Sequence, residues 1–159
     1  MCKPELAIFT DGGCRPNPGL GGWGVYITFP NGKTEEYFGH SDGETTTNNR
    51  MELTAFYNGI RKAYSFIQHG LHETHEITIY CDSNYVKLGV EEWLQKWFLK
   101  NPSLSGVKNS DLWLLINDQI IKCAGHINIK KVKGHSGDIG NAKADDLATK
   151  GVLSNVPRD

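Results

Sequence analysis

Two short apolar runs, each followed at once by an aspartate, constrain this chain more than any other feature of its sequence. Residues 6–10 (Leu-Ala-Ile-Phe-Thr) lead into Asp11, and residues 77–81 (Ile-Thr-Ile-Tyr-Cys) lead into Asp82. Runs with few polar residues are typical of strands buried on both faces of a sheet. If these strands are neighbours and parallel, both carboxylates lie at the same carboxyl edge, where α/β sheets usually hold ligands.

The segments between these runs predict how the two strands come together. Residues 25–29 and 34–38 flank a Pro-Asn-Gly turn, which predicts a hairpin and, with the first strand, an antiparallel meander. From Asn49 to about Gly70 the apolar residues recur with a helical period. A helix that returns from the meander places the fourth strand parallel to the first.

The second half of the chain predicts the rest of an α/β fold. A short helix begins at Ser83, a strand covers 126–132, and a last helix follows a glycine-rich loop over 134–140. Between them Ser110 has the character of an N-cap. It precedes a helix with the apolar stripe Leu112, Leu115, Ile116, Ile120 and Cys123, and the last helix carries Ala144, Leu147 and Ala148. The expected fold is a five-stranded mixed sheet with helices packed on it.

Two further acids are expected at the same edge as Asp11 and Asp82. Glu52 lies beside the apolar stripe of the long helix, and Asp145 lies beside that of the last helix. Like charges brought together are costly unless a proton or a cation lies between them. Four carboxylates form an all-oxygen site, which suits Mg²⁺ or Mn²⁺ better than Zn²⁺ or Cu²⁺.

Each acid also has a purely structural interpretation. Asp11 before two glycines is typical of a turn, and Asp82 before Ser83 is typical of an N-cap. Glu52 follows Asn49 at the spacing of a capping box, and Asp145 in a first helical turn complements the helix dipole. These interpretations compete with the metal site for each acid alone, but the metal site explains all four acids together.

Three other motifs are interpreted as structural. Residues 19–24 match G-x-G-x-x-G but lead into strand-like sequence, so no helix N-terminus is available for a dinucleotide. His69, His72 and His75 suggest a metal site, but a solvated loop is favoured because they straddle a helix end. The aromatic residues near 93–98 form either a nucleic-acid platform or, as we favour, the core face of a small helix: Trp93, Trp97 and Phe98.

Composition limits the class of protein and its compartment. The 159 residues suffice for one domain with its own core, and the four cysteines form no C-x-x-C pair, which favours free thiols in the cytoplasm. No membrane span or signal peptide is expected. The formal net charge of −1 argues at first against a nucleic-acid partner. Because that −1 includes four expected site acids, the rest of the chain carries +3.

Five separated motifs, in order along nearly the whole chain, resemble type 1 ribonuclease H. They are Thr10–Cys14 with Asn17-Pro18-Gly19, Thr46–Leu53, Asp82–Val86, Lys108–Trp113, and Val132–Gly137 followed by Asn141 and Asp145. The resemblance implies a ribonuclease H-like fold and an endonuclease that hydrolyses the RNA strand of RNA·DNA hybrids. A single catalytic domain over 1–159, acting as a monomer, is expected, with no N-terminal hybrid-binding module.

The resemblance also implies the cofactors and the catalytic residues. Two Mg²⁺ ions, or Mn²⁺, would be held by Asp11, Glu52, Asp82 and Asp145. One ion would activate a water, the other would stabilise the leaving 3′ oxygen, and the products would carry a 5′-phosphate and a 3′-hydroxyl. His135, between two glycines, would shuttle a proton.

Hybrid recognition, by the same resemblance, falls to a set of small polar residues: Cys14, Asn17, Asn48, Asn49 and Asn84. The segment over 93–107 resembles the basic handle of the family but carries only Lys96 and Lys100, which predicts weak binding with a shallow salt dependence. Two alternatives remain. A non-catalytic hybrid-binding module would need loss of a site acid, and another nuclease or integrase chemistry is opposed by Asn48-Asn49 and Gly134-His135.

Overall fold

The computed structural model describes residues 2–132 and 138–156, and a five-stranded sheet in the order β3-β2-β1-β4-β5 lies at its centre. Strands β1, β2 and β3 are antiparallel neighbours, whereas β4 runs parallel to β1 and β5 runs parallel to β4. The predicted meander and the predicted parallel pair are therefore both confirmed. The strands are β1 Glu5–Arg15, β2 Gly19–Thr28, β3 Thr34–Thr46, β4 Glu76–Cys81 and β5 Asn128–Lys131.

Helices cover both faces of the sheet, as apolar central strands require. They are α1 Asn48–Gln68, α2 Asn84–Leu88, α3 Leu94–Lys100, α4 Ser110–Cys123 and α5 Ile139–Leu153; a π-helical turn over Gly89–Trp93 joins α2 to α3. On one face Ile8 packs with Phe56 of α1 and Trp113 of α4, all fully buried. On the other face Phe9 and Tyr26 pack against α5. Alternate residues of β1 thus support two cores.

The first three strands are longer than predicted because glycines that are typical of turns lie inside them. β1 continues through Gly12 and Gly13, and the G-x-G-x-x-G stretch is the first half of β2, which confirms that it opens no helix. A Cβ on Gly24 would meet the backbone of α5, lying 2.8 Å from the Ala148 nitrogen. Gly24 is therefore a strand residue that lets a helix approach closely.

The prediction for α4 is wrong in two respects. Its N-cap is Asn109, which has a left-handed φ of 61° and makes no side-chain cap, rather than Ser110. Its buried face carries Trp113 and Gln119, whereas Leu115 is 45% exposed. The indole of Trp113 fills the core against the π-helical turn, where Gly89 leaves room for it, and this contact sets the rotation of the helix.

Two further observations concern the cysteines and the helices. Cys14, Cys81 and Cys123 are buried free thiols, and Cys2 is an exposed one. Among the helices in the described residues, none has the length and apolar character needed to cross a membrane.

Candidate active site

The carboxyl edge of the β1–β4 pair brings Asp11 and Asp82 together. The parallel register ends at Thr10 opposite Cys81, so the two aspartates follow at the same level. The sequence predicted that β1 ends at Asp11. Instead, Asp11 pairs with Gly24 of β2, and β1 continues beyond it. The turn interpretation of Asp11 is therefore wrong, and the aspartate is held by strand pairing on one side only.

Glu52 reaches this edge from the first turns of α1. The N-cap is Thr47, whose hydroxyl accepts a hydrogen bond from the backbone of Arg50 at 3.2 Å. Oε1 of Glu52 accepts instead from the backbone N–H of Gly12 at 2.8 Å. The capping-box interpretation with Asn49 is therefore wrong, since the glutamate bridges helix and strand.

The acids form one cluster in a cavity of about 170 Å³. Ligand oxygens of Asp11, Glu52 and Asp82 all lie within 4.8 Å of one another. Asp145 lines the same cavity from α5. Since α5 begins at Ile139, Asp145 lies in its second turn, and the first-turn dipole interpretation is wrong.

The electrostatics of the cluster favour a bound cation. Burial, reinforced by the hydrogen bond and the charge of Glu52 and by the charge of Asp82, raises the pKa of Asp11. Burial also raises the pKa of Glu52, although hydrogen bonds from Asp11 and Gly12 partly oppose that rise. The buried acids resist full ionisation without a compensating positive charge. An all-carboxylate donor set fits a hard divalent cation such as Mg²⁺ or Mn²⁺.

Three of the predicted substrate residues form one network beside the acids. The backbone N–H of Cys14 donates to Oδ1 of Asn48 at 2.8 Å, and the backbone N–H of Asn48 donates to Oδ1 of Asn17 at 3.1 Å. Cys14 is buried, whereas Asn17, Asn48 and the neighbouring Asn49 are exposed. The network fixes the start of α1 to the β1–β2 turn and leaves amide groups facing solvent.

Asn84 lies two residues after Asp82, at the start of α2. The N-cap of α2 is Ser83, whose hydroxyl accepts from the Val86 backbone at 3.2 Å, so the N-cap interpretation of Asp82 is wrong. Oδ1 of Asn84 accepts a hydrogen bond from Nζ of Lys131 at 2.6 Å. Lys131 was missed by sequence reasoning because its strand carries no motif.

A second group that sequence reasoning missed links three helices. The guanidinium of Arg50 donates to both carboxylate oxygens of Asp111, at 3.0 and 2.7 Å, and to Oδ1 of Asn109 at 3.1 Å. The hydroxyl of Tyr85 accepts from Asn109 at 3.0 Å and from the Trp113 indole at 3.2 Å. These residues lie in three of the motifs that resemble ribonuclease H. Their hydrogen-bond partners are distant in sequence, so no local pattern shows the contacts. The group orients the start of α1, and therefore its asparagines.

The residue proposed as proton shuttle, His135, lies outside the described residues. Trp97 and Phe98 pack against the main core, as favoured for a small helix, whereas Trp93 makes an edge-on contact with Tyr85, with ring centroids 5.8 Å apart and planes inclined by 63°.

Comparison with known proteins places the chain among ribonucleases. A family model described as RNase H matches residues 3–153. A ribonuclease H of Wolbachia sp. subsp. Drosophila simulans (strain wRi) is 41% identical over 156 residues, covering 96% of this chain and 99% of that protein. A ribonuclease H of Orientia tsutsugamushi (strain Boryong) is 42% identical over 151 residues, covering 93% and 82%.

Solved structures share the fold. The solution structure of the PFV RNase H domain aligns with a TM-score of 0.76 at 22% identity, covering 97% of this chain and 98% of that one. LC11-RNase H1 in complex with an RNA/DNA hybrid aligns with a TM-score of 0.64 at 24% identity, covering 94% and 97%.

Proposed function

This chain belongs to the RNase H family of enzymes, and we propose that it cuts the RNA strand of RNA·DNA hybrids endonucleolytically at the acidic cluster. The observation that carries the proposal is the convergence of Asp11, Glu52 and Asp82 within 4.8 Å beside an exposed row of asparagines. A single domain over 1–159, active as a monomer, is part of the same proposal.

The four acids of the cavity, Asp11, Glu52, Asp82 and Asp145, would hold two Mg²⁺ ions, with Mn²⁺ as a substitute. Bound divalent cations lower the pKa of an attacking water and offset the charge that develops on the phosphodiester. The protein positions the carboxylates beforehand, because strand pairing fixes Asp11 and the Gly12 N–H fixes Glu52. Asp145, which is exposed, lines the same cavity from α5 and would complete the ligand set on its solvent side.

The proposed reaction is the hydrolysis of a phosphodiester bond. The water oxygen bonds to phosphorus, the bond from phosphorus to the 3′ oxygen breaks, and the released fragments carry a 5′-phosphate and a 3′-hydroxyl. His135 would shuttle a proton, either from the attacking water or toward the leaving 3′ oxygen. Its segment connects β5, the neighbour of β4, to α5, which carries Asp145.

Hybrid recognition follows from the polar groups around the cluster. Asparagine amides both donate and accept hydrogen bonds, which suits the 2′-hydroxyls that distinguish RNA from DNA in a minor groove. Asn17, Asn48 and Asn49 would contact the hybrid near Asp11, and Asn84 would contact it near Asp82. The buried Cys14 would hold Asn17 and Asn48 in place from within the same network. LC11-RNase H1, whose fold this chain shares, has been solved in complex with an RNA/DNA hybrid, which supports a hybrid as the ligand of this family fold.

A cleavage assay tests the proposal directly. With Mg²⁺, the protein is expected to cut labelled RNA in a hybrid and to leave the DNA strand, single-stranded RNA and duplex DNA intact. Treatment with a chelator should stop cleavage, and end analysis should find 3′-hydroxyls on the upstream fragments. Equal cutting of duplex DNA would contradict the proposal.

Replacement of His135 should slow the enzyme without inactivating it. General acid–base catalysis is worth about 10²–10⁴-fold, and water can replace a shuttle in part, so we expect kcat for His135→Ala to fall by roughly 10²-fold. The measurement is single-turnover hybrid cleavage across pH, with His69→Ala as the control. An unchanged rate and pH profile would remove His135 from the reaction.

A further inference from the structure

Two histidines meet at the edge of the sheet opposite the acidic cluster. His72 lies in the 3-10 turn Leu71–Glu73 that follows α1, and His126 lies in the loop before β5. Their ring centroids are 4.4 Å apart, with the rings tilted by 41°. Both line a cavity of about 190 Å³ whose wall also includes Lys3, His75, Glu76 and Asn128.

This cavity is separate from the active site. Glu76, on its wall, is the first of the six residues of β4, and Cys81 at the far end precedes Asp82. At about 3.3 Å per strand residue, the two sites are roughly 20 Å apart. Nothing that binds at the histidines touches the acidic cluster.

Most polar groups of the cavity already have partners. Nζ of Lys3 donates to the His72 carbonyl at 3.0 Å, and Nδ2 of Asn128 donates to Glu76 at 2.6 Å. Nδ1 of His75 lies 2.9 Å from the Thr74 hydroxyl. In contrast, Nδ1 of His72 is buried and has no hydrogen-bond partner. A buried nitrogen without a partner costs free energy that a ligand can recover.

We propose that His72 and His126 bind a Zn²⁺ ion that links the turn after α1 to the loop before β5. Imidazole nitrogens bind Zn²⁺ far better than they bind Mg²⁺ or Mn²⁺, the hard cations expected at the acidic cluster. Within the described residues no group of three ligand atoms within 4.8 Å of one another includes this pair, so the proposed site has two protein ligands and its other positions would be taken by water. The carboxylate of Glu76 offsets the charge of Lys3 in the same cavity.

Calorimetric titration with Zn²⁺ tests this site. Excess Mg²⁺ and the Asp11→Asn background keep Zn²⁺ from the acidic cluster, and one Zn²⁺ per chain is expected to bind. His126→Ala should weaken that binding by at least about tenfold. His69→Ala is the matched control, because His69 is the C-cap residue of α1, three residues before His72, and its Nδ1 lies 2.8 Å from the Ser65 carbonyl. Equal Zn²⁺ affinity in His126→Ala would overturn the proposal.

A spectroscopic readout separates ligation from a structural effect. With Cu²⁺ as the probe, electron paramagnetic resonance should detect two nitrogen ligands in the unsubstituted chain and one in either His72→Gln or His126→Ala. Hybrid cleavage with Mg²⁺ verifies that the otherwise unsubstituted His126→Ala chain is folded. A two-nitrogen spectrum that persists in both variants would also overturn the site.

Discussion

Asp11→Asn is expected to lower the rate of hybrid cleavage by roughly 10³-fold or more while hybrid binding remains measurable. The substitution keeps the shape of the side chain but removes one carboxylate from the three that lie within 4.8 Å. The asparagines that would contact the hybrid are untouched. Single-turnover cleavage and fluorescence anisotropy with a labelled hybrid measure the two effects separately.

The same variant should be more stable than the parent chain when no metal is present. Burial and neighbouring acids raise the pKa of Asp11 above its unfolded value. As pH rises above the unfolded pKa, the unfolded state releases its proton more readily than the folded state, so stability is lost. Asparagine carries no such charge, and we expect the unfolding temperature near pH 7 to rise by a few degrees.

The response to magnesium supplies the control for this variant. Mg²⁺ should raise the unfolding temperature of the parent chain, since a ligand that binds only the folded state stabilises it, and should raise that of Asp11→Asn less. Asp146→Asn is the matched substitution, because Asp146 is exposed on α5 and does not line the cavity. Cleavage by Asp11→Asn at the rate of Asp146→Asn would exclude Asp11 from the active site.

The sequence was sufficient to predict the arrangement of the first four strands and the edge at which the acids meet. Apolar runs with a following aspartate identify β1 and β4 because both strands are covered on two faces, and that requirement leaves a pattern in the chain. The long helical period identifies α1 in the same way. The pattern of the two strands therefore places Asp11 and Asp82 together.

What the sequence could not predict depends on contacts between distant segments. Gly12 has the local character of a turn, and the close approach of the α1 backbone explains why a glycine lies there within β1. The capping role expected for Glu52 is wrong because a backbone N–H on another strand competes for its carboxylate. The meeting of His72 with His126 has no local pattern, since the two residues flank different helices.

Gly12→Ala is expected to destabilise the fold and to disrupt the acidic cluster. A Cβ on Gly12 would overlap the Met51 carbonyl and lie 2.7 Å from the Glu52 nitrogen, both in the backbone of α1. Backbone atoms cannot rotate away, so α1 must shift from β1. We expect a loss of about 3 kcal/mol in the free energy of unfolding. A shift of about 1 Å at Glu52 would also lower the cleavage rate by roughly 10²-fold.

Gly13→Ala is the matched control for this prediction, because it adds the same methyl group one residue along the same strand. Its Cβ would meet only the Asn48 side chain, at an ordinary 3.5 Å. Chemical denaturation of the two variants therefore separates the effect of a specific contact with α1 from a general destabilising effect of alanine in this strand. Equal stability of the two would show that α1 does not need Gly12 to approach β1. Since Glu52 reaches Asp11 only through that approach, the close packing of helix on strand would then no longer explain the geometry of the cluster.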